Sequence, residues 1–236
     1  MTTVLTVIVP TRGRPDNLME LWAAFVETCT GDTKLVACVD EDDPELDGYE
    51  HVHDAIHPRM RDPQFECRYG PRLRLGGTLN AVAPVFAQES KYLAFMGDDH
   101  RPRTVGWDTA YMTALDALGT GLVYGDDLIQ RAALPTQVAM TSDIVLATGH
   151  MVPPGARHLW LDNAWLALGR ALGAITYLPD VVVEHVHPIA GNAQWDAGYV
   201  ECNTDELSSA DRAVFEAWQA NDLPRWVQQI KEYGRG

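Results

Sequence analysis

The residues best suited to chemistry stand together at Gly97-Asp98-Asp99-His100, directly after the apolar run from Tyr92 to Met96. Adjacent carboxylates repel each other unless a positive charge lies between them, and a divalent cation carrying a phosphate supplies that charge. Two aspartates taken alone can also be a solvated acidic turn. The pattern recurs, however. The run Lys34 to Val39 ends in Asp40, followed by Glu41, Asp42 and Asp43; Leu122-Val-Tyr124 runs into Asp126 and Asp127; and Val181 to Val183 leads into Glu184-His185-Val-His187. Arg12 and Arg14 follow the apolar run Val4 to Val9.

Those apolar runs have the length and the aromatic or β-branched content of strands buried on both faces, so their terminal acids belong at strand ends. Pro15 and Asp16 open a helix with Leu18, Leu21, Trp22 and Phe25 on one face, which makes the first unit strand, loop, helix. Right-handed crossovers keep successive strands co-directional, which gathers their acids on one edge of a parallel sheet. In open α/β sheets that carboxyl edge is where ligands bind. Further helices are expected from Gly76-Gly77-Thr78 onward with Leu79, Val82 and Phe86 buried, from Trp107 to Leu118, and from Leu161 to Leu172 with Asp162 in the first turn. Gly76 and Gly77 at a helix start offer N–H groups to an anion, or else form a plain capping turn. Pro44 to Pro71 lacks periodicity and reads as a long loop carrying His51, His53 and His57. His51-x-His53 has no third ligand nearby and reads as solvated. Strands are expected over 141–148, 174–178 and 181–183, and two helices broken at Leu223-Pro224 close the chain.

Composition narrows the function classes. A formal net charge of −15 over 236 residues disfavours broad binding to duplex DNA or an anionic membrane. Arg68, Arg72, Arg74, Arg101 and Arg103 leave room for a local basic groove. No apolar run approaches the roughly 20 residues of a membrane span, and no basic leader precedes the first strand, so the chain is expected to be soluble and cytoplasmic. Cys29, Cys38, Cys67 and Cys202 lack C-x-x-C pairing and read as buried free thiols.

Taken in order, Val-Ile-Val-Pro-Thr-Arg-Gly-Arg-Pro (7–15), Asp40, Leu-Gly-Gly-Thr-Leu-Asn (75–80), the Asp98-Asp99 turn and the late His185 motif resemble the GT-A nucleotide-sugar glycosyltransferases, nearest the inverting family-2-like group. The resemblance spans residues 4 to 190. It implies one GT-A-like (Rossmann-like) α/β domain over 1–190, with a mixed, mainly parallel sheet flanked by helices, and a packed helical C-terminal extension over 191–236. By position, Thr11 and Arg12 would lie beside the nucleotide base, and Asp40 would accept an N–H from it. Gly76, Gly77 and Asn80 would line the donor side. The family's D-x-D aligns with Gly97-Asp98-Asp99, which lacks the first carboxylate. Asp99 then inherits the metal, Mn²⁺ or Mg²⁺, and Asp98 replaces the missing acid or bonds to the ribose. His185 would be the late metal ligand, with His187 expected on the opposite face of a continuing strand.

The resemblance also implies a base for the acceptor proton, the Asp of a Glu-Asp pair after a Gly-containing loop. Here the loop is Gly149 to Gly155 and the pair reads Leu161-Asp162, so Asp162 is retained without its Glu. A first-turn Asp also serves a helix dipole. Trp160 and His150 would wall the acceptor side. The implied activity is metal-dependent transfer from a nucleoside-diphosphate sugar, UDP-sugar favoured, to an acceptor hydroxyl with inversion. The acceptor class stays open among saccharides, protein side chains, metabolites and modified DNA bases. The alternatives are a retaining transferase of the same fold, a metal-dependent nucleotidyltransferase or phosphohydrolase, and a non-catalytic nucleotide-sugar-binding module.

Overall fold

The computed structural model describes residues 4–56, 64–191 and 194–234. Strand β1 (Leu5–Thr11) lies near the middle of the sheet, with Leu5, Val7 and Val9 facing one apolar core and Ile8 the other. Burial of both faces explains why its sequence shows no polar alternation. The sheet order is β3-β2-β1-β4-β7-β6-β8-β5. Here β2 is Thr33–Asp40, β3 is Gln64–Gly70, β4 is Tyr92–Phe95 and β5 is His100–Pro102. The remaining strands are β6 (Leu122–Asp126), β7 (Val138–Thr141) and β8 (Ile175–His185). β1 pairs in parallel with both β2 and β4, and β2 likewise with β3; β7 runs antiparallel to β4 and β6, and β6 is parallel to β8. The chain builds β1, β2 and β3 in one direction, then returns to set β4 on the other side of β1. That reversal opens a crevice at the carboxyl ends of β1 and β4.

One core lies beneath helices α1 (Pro15–Thr28), α2 (Leu46–Ile56) and α4 (Trp107–Leu118), through side chains such as Phe25, Tyr49 and Trp107. The opposite core is covered by α3 (Arg74–Phe86), α5 (Ser142–Thr148), α6 (Leu161–Leu172), α8 (Asp205–Asn221) and α9 (Leu223–Tyr233). Trp218, Trp226 and Ile230 of the last two helices are among its buried members. The short α7 (Ala197–Cys202) lines the crevice through Gly198, Tyr199, Glu201 and Cys202. Among the described residues no helix is long and apolar enough to cross a membrane.

Three local expectations are corrected. The stretch 44–71 is not one loop: α2 buries Tyr49, Val52 and Ile56, and β3 is an edge strand. Short amphipathic pieces at a sheet edge bury too few side chains to show a clear period. His51 and His53 sit on α2, and His57 lies outside the described residues. Residues 142–148 form α5 rather than a strand, because Ile144 and Val145 are buried on a helical turn that follows the real strand, β7. The strands expected at 174–178 and 181–183 are one, β8. Its pairing jumps from Gly125↔Leu178 to Asp126↔Val182, so Pro179-Asp180-Val181 forms a bulge rather than a break. A Cβ at Gly125 would lie 2.3 Å from the Val181 carbonyl oxygen, so the bulge requires glycine there.

Candidate active site

The crevice is a cleft of about 670 Å³. Its floor comes from the loops after β1 and β4. Thr11 donates to Asp98 Oδ2 at 2.7 Å and lies 2.9 Å from the Tyr49 hydroxyl, which accepts the Arg14 N–H at 2.9 Å. One proton per hydroxyl orients this chain from Arg14 N–H through Tyr49 and Thr11 to the Asp98 carboxylate. Gly13, at φ +68°, lets the loop turn between the two arginines, and Asp43 holds it through the Gly13 N–H at 2.9 Å. Arg101, directly after the acid turn, buttresses it from behind. Its Nη1 donates to the carbonyls of Asp98 and His100 at 2.6 and 2.7 Å, and its Nη2 pairs with Glu20 at 2.8 Å.

Asp99 and His185 meet because β5 and β8 pair in antiparallel register, His100 opposite His185. Asp99 Oδ2 lies 3.4 Å from His185 Nε2, and Asp99 Oδ1 lies 3.3 Å from His100 Nδ1. The two imidazoles stack with centroids 4.4 Å apart. Among the described residues, Asp99, His100 and His185 form the one group of potential ligands close enough to share a cation. His100 Nδ1 also lies 3.0 Å from the Gly97 N–H and can serve one neighbour at a time, while its buried Nε2 has no hydrogen-bond partner among the described residues.

The electrostatics suit a cation. Burial alone would raise the Asp99 carboxyl, but its contacts with His100 and His185 hold it well below the ordinary range. Burial and the Asp99 charge push its neighbour Asp98 up, against the pull of Arg14 and Thr11. His185 is opposed by burial yet raised by Asp99, and burial lowers His100. One carboxylate plus imidazole nitrogen is a donor set that fits Mn²⁺ better than Mg²⁺, which prefers oxygen alone.

On one side of the floor, Arg12 Nη1 bridges Asp40 at 3.0 Å and Asp42 at 2.6 Å, and Arg72 Nε approaches Asp40 at 3.8 Å. Burial raises the Asp40 carboxyl, partly offset by Arg12. On the other side stand Leu159, Trp160, Leu161, Asp162 and Trp165, with His158. Burial raises the Asp162 carboxyl despite the Asn163 N–H that it accepts at 2.9 Å. Two non-glycine residues that line the cleft, Arg74 and Trp160, are left-handed at φ +63° and +65°, a strain of about 1–2 kcal/mol each.

Of the residues singled out by sequence, Thr11, Arg12, Asp40, Asp98, Asp99, Asp162 and His185 line this cleft; Gly76, Gly77 and Asn80 do not. The Asn80 side chain accepts the N–H groups of Met151 and Val152 and donates to the Val152 carbonyl, so its amide is spent on fastening that loop. Gly76 donates its N–H to Arg157 O at 2.8 Å, and a Cβ there would lie 2.1 Å from Ala156 O. Gly77 packs against the Leu73 side chain. Both glycines sit inside α3 and serve close packing rather than an anion. His150 faces a separate cavity, stacked on Trp226. His187 lies in the cleft with His185, not on the opposite face, because the strand ends at His185. The basic groove is mostly neutralised: Arg68 pairs with Glu66, Arg101 with Glu20 and Arg103 with Glu184.

The sequence reading missed a group contributed by Arg14 and the chain after 190. Arg14 forks onto Asp196, both contacts 2.7 Å, reaches Asp98 at 3.4 Å and lies 3.9 Å from the Tyr199 ring centroid. Tyr199 donates to Asp99 Oδ2 at 2.8 Å. From α8, buried Asp211 accepts the consecutive N–H groups of Arg157, His158 and Leu159 at 2.8–3.0 Å, which holds the wall that leads into Asp162. Arg14 was visible as the second arginine of a strand-end loop; the others carry no motif.

No protein-family model matches the sequence, and comparison with curated proteins finds no match. Solved structures do match. A mannosyltransferase from Pyrobaculum calidifontis, PcManGT, in complex with GDP-Man and Mn²⁺, aligns over 97% of this chain and 73% of its own, at 13% identity and TM-score 0.59. Glucosyl-3-phosphoglycerate synthase from Mycobacterium tuberculosis, with Mg²⁺ and UDP, aligns over 92% and 80% at 13% identity and TM-score 0.62. TarS from S. aureus, with UDP-GlcNAc, aligns over 98% and 80% at 11% identity and TM-score 0.55. The chain therefore has the GT-A fold of these nucleotide-sugar glycosyltransferases.

Proposed function

We propose that this protein transfers a sugar from a nucleoside-diphosphate sugar, UDP-sugar favoured, to an acceptor hydroxyl, with inversion at the anomeric carbon. The observation that carries this reading is the meeting of Asp98, Asp99 and His185 at the crevice between β1 and β4, with Asp162 on the far wall of the same cleft. A phosphohydrolase needs no base-side pocket, whereas here Arg12 and Arg72 flank Asp40.

Each residue then has a chemical role. Asp40, steadied by Arg12, accepts an N–H from the nucleotide base, and Thr11 with Asp98 holds the ribose side. Arg14, Arg72 and Arg74 are the cations in the cleft that can neutralise the diphosphate. Asp99 and His185 hold Mn²⁺ or Mg²⁺, which when bound supplies Lewis-acid stabilisation of the leaving diphosphate. Asp162 takes the acceptor hydroxyl proton as that oxygen attacks the anomeric carbon and the sugar–phosphate bond breaks. Its burial favours this, since a raised pKa makes a carboxylate a stronger base near neutral pH.

The test is a thermal-shift screen of UDP-, GDP- and ADP-sugars with and without Mn²⁺, followed by product analysis on candidate acceptors. A ligand at a hundred times its Kd stabilises the folded state by about 2.7 kcal/mol, a readily measured rise in Tm. A metal-dependent rise for a UDP- or GDP-sugar is expected. No stabilisation by any nucleotide would remove the proposal.

A further inference from the structure

The cleft already contains an anion, and the chain itself supplies it. Residues 194–203, including α7, lay two carboxylates and a hydroxyl across the groups assigned above to the donor and its cation. Asp196 takes the fork of Arg14 in two 2.7 Å contacts. Glu201 receives Arg72 Nη2 on both oxygens at 2.8 Å and Arg74 Nη1 at 2.7 Å. Between them Tyr199 donates to Asp99 Oδ2, the oxygen that also faces His185 Nε2 at 3.4 Å. Arg14, Arg72 and Arg74 are thereby all paired with carboxylates of this segment.

Charge and anchoring agree with this arrangement. The diphosphate of a nucleotide-sugar has one ionised oxygen on each phosphorus, a charge of −2, and Asp196 with Glu201 carries the same charge onto the same arginines. Besides these contacts, Tyr199 packs edge-on against His187 with ring centroids 4.7 Å apart, and its hydroxyl lies 3.3 Å from the Val186 carbonyl oxygen. Among its residues whose side chains are described, only Tyr199 is buried, and none belongs to either apolar core. Trp195 and Val200 are 56% and 61% exposed. Ion pairs at such part-exposed positions are individually weak, so a ligand that satisfies the same arginines competes on near-equal terms.

We infer that residues 194–203 form an autoinhibitory strap that mimics the donor diphosphate, and that nucleotide and cation bind only as Asp196, Tyr199 and Glu201 leave Arg14, Asp99 and the Arg72–Arg74 pair. The inference rests on the donor reading of this cleft. It adds that the apo site is self-neutralised, and that any factor holding α7 outward activates the protein.

The test compares wild type with the double variant Asp196→Asn/Glu201→Gln in calorimetric titrations of UDP, GDP and inorganic pyrophosphate, each with Mn²⁺. Hydrogen–deuterium exchange across 194–203 is followed in parallel. The strap predicts at least threefold tighter binding by the variant, and faster exchange in 194–203 when the ligand is added to wild type. Binding by wild type as tight as by the variant overturns it. So does slower exchange on ligand addition, which would make α7 a lid that closes over the donor. Binding of none of the three ligands by either protein is a different failure: it removes the donor reading, and the strap falls with it. Tighter pyrophosphate binding by the variant, with no gain for UDP or GDP, also overturns it, because the strap as stated withholds these arginines from the nucleotide.

Discussion

Asp211 ties the C-terminal helices to the active-site wall, and Asp211→Ala measures that tie. Its carboxylate accepts three consecutive N–H groups at 2.8–3.0 Å and is 1% exposed. Alanine would leave these donors facing a void. At about 1–3 kcal/mol for each buried donor left unpaired, with some relief from entering water, the loss is about 3–5 kcal/mol. Asp211→Asn keeps one acceptor oxygen, enough for the His158 and Leu159 N–H groups that share Oδ2, and turns an NH₂ toward the third. Its cost is accordingly smaller, about 1–2 kcal/mol. Urea unfolding followed by circular dichroism reads both. With m of about 2–3 kcal/mol/M, a 4 kcal/mol loss lowers the midpoint by roughly 1.3–2 M. An alanine variant within about 0.5 kcal/mol of wild type would mean that the wall holds without Asp211, and would refute the reasoning.

Other expectations concern the chemistry. Asp162→Asn lowers turnover per folded molecule by about 10²–10⁴-fold while leaving donor affinity in calorimetry nearly unchanged; near-wild-type turnover, or a product that retains the donor's configuration, contradicts the base. Because burial raises the Asp162 carboxyl and a base must be ionised, turnover falls as pH drops through a value above that of an exposed aspartate. That acid limb is absent from the pH profile of Asp162→Asn. Asp99→Ala and His185→Ala each weaken Mn²⁺-dependent UDP binding, read by calorimetry on the folded variants, and unchanged affinity in both removes the shared metal site. Asp40 can accept an N–H from uracil or guanine but not from adenine N1, so ADP should bind more weakly than UDP and GDP in the same titrations; a clear ADP preference contradicts the role given to Asp40.

The central strands and what stands at their ends were legible in the sequence. β1, β2 and β4 are buried on both faces, so their apolar runs are continuous, and the first polar residue after each is already at the sheet edge. Asp40, Asp98 and Asp99 could be placed at one rim for that reason, and His185 by the shorter apolar run 181–183 that leads into it. At the periphery the signal faded. α2, β3 and α5 bury only a few side chains each, and segments of seven to eleven residues with so few buried positions do not reveal their period. Local spacing also gave no guide to how a side chain would be used. Asn80 and the Gly76-Gly77 pair sit in a recognisable string, yet their backbones and amide are consumed by the loop at 151–157. Only the tertiary structure could bring Tyr199 to Asp99, 100 positions away, Asp196 to Arg14, 182 away, and Asp211 to the loop before Asp162. Single polar residues on surface helices have no periodicity to betray them. Their partners are chosen by how the last helices dock through Trp218, Trp226 and Ile230, and docking is a property of the packed core rather than of any stretch of chain.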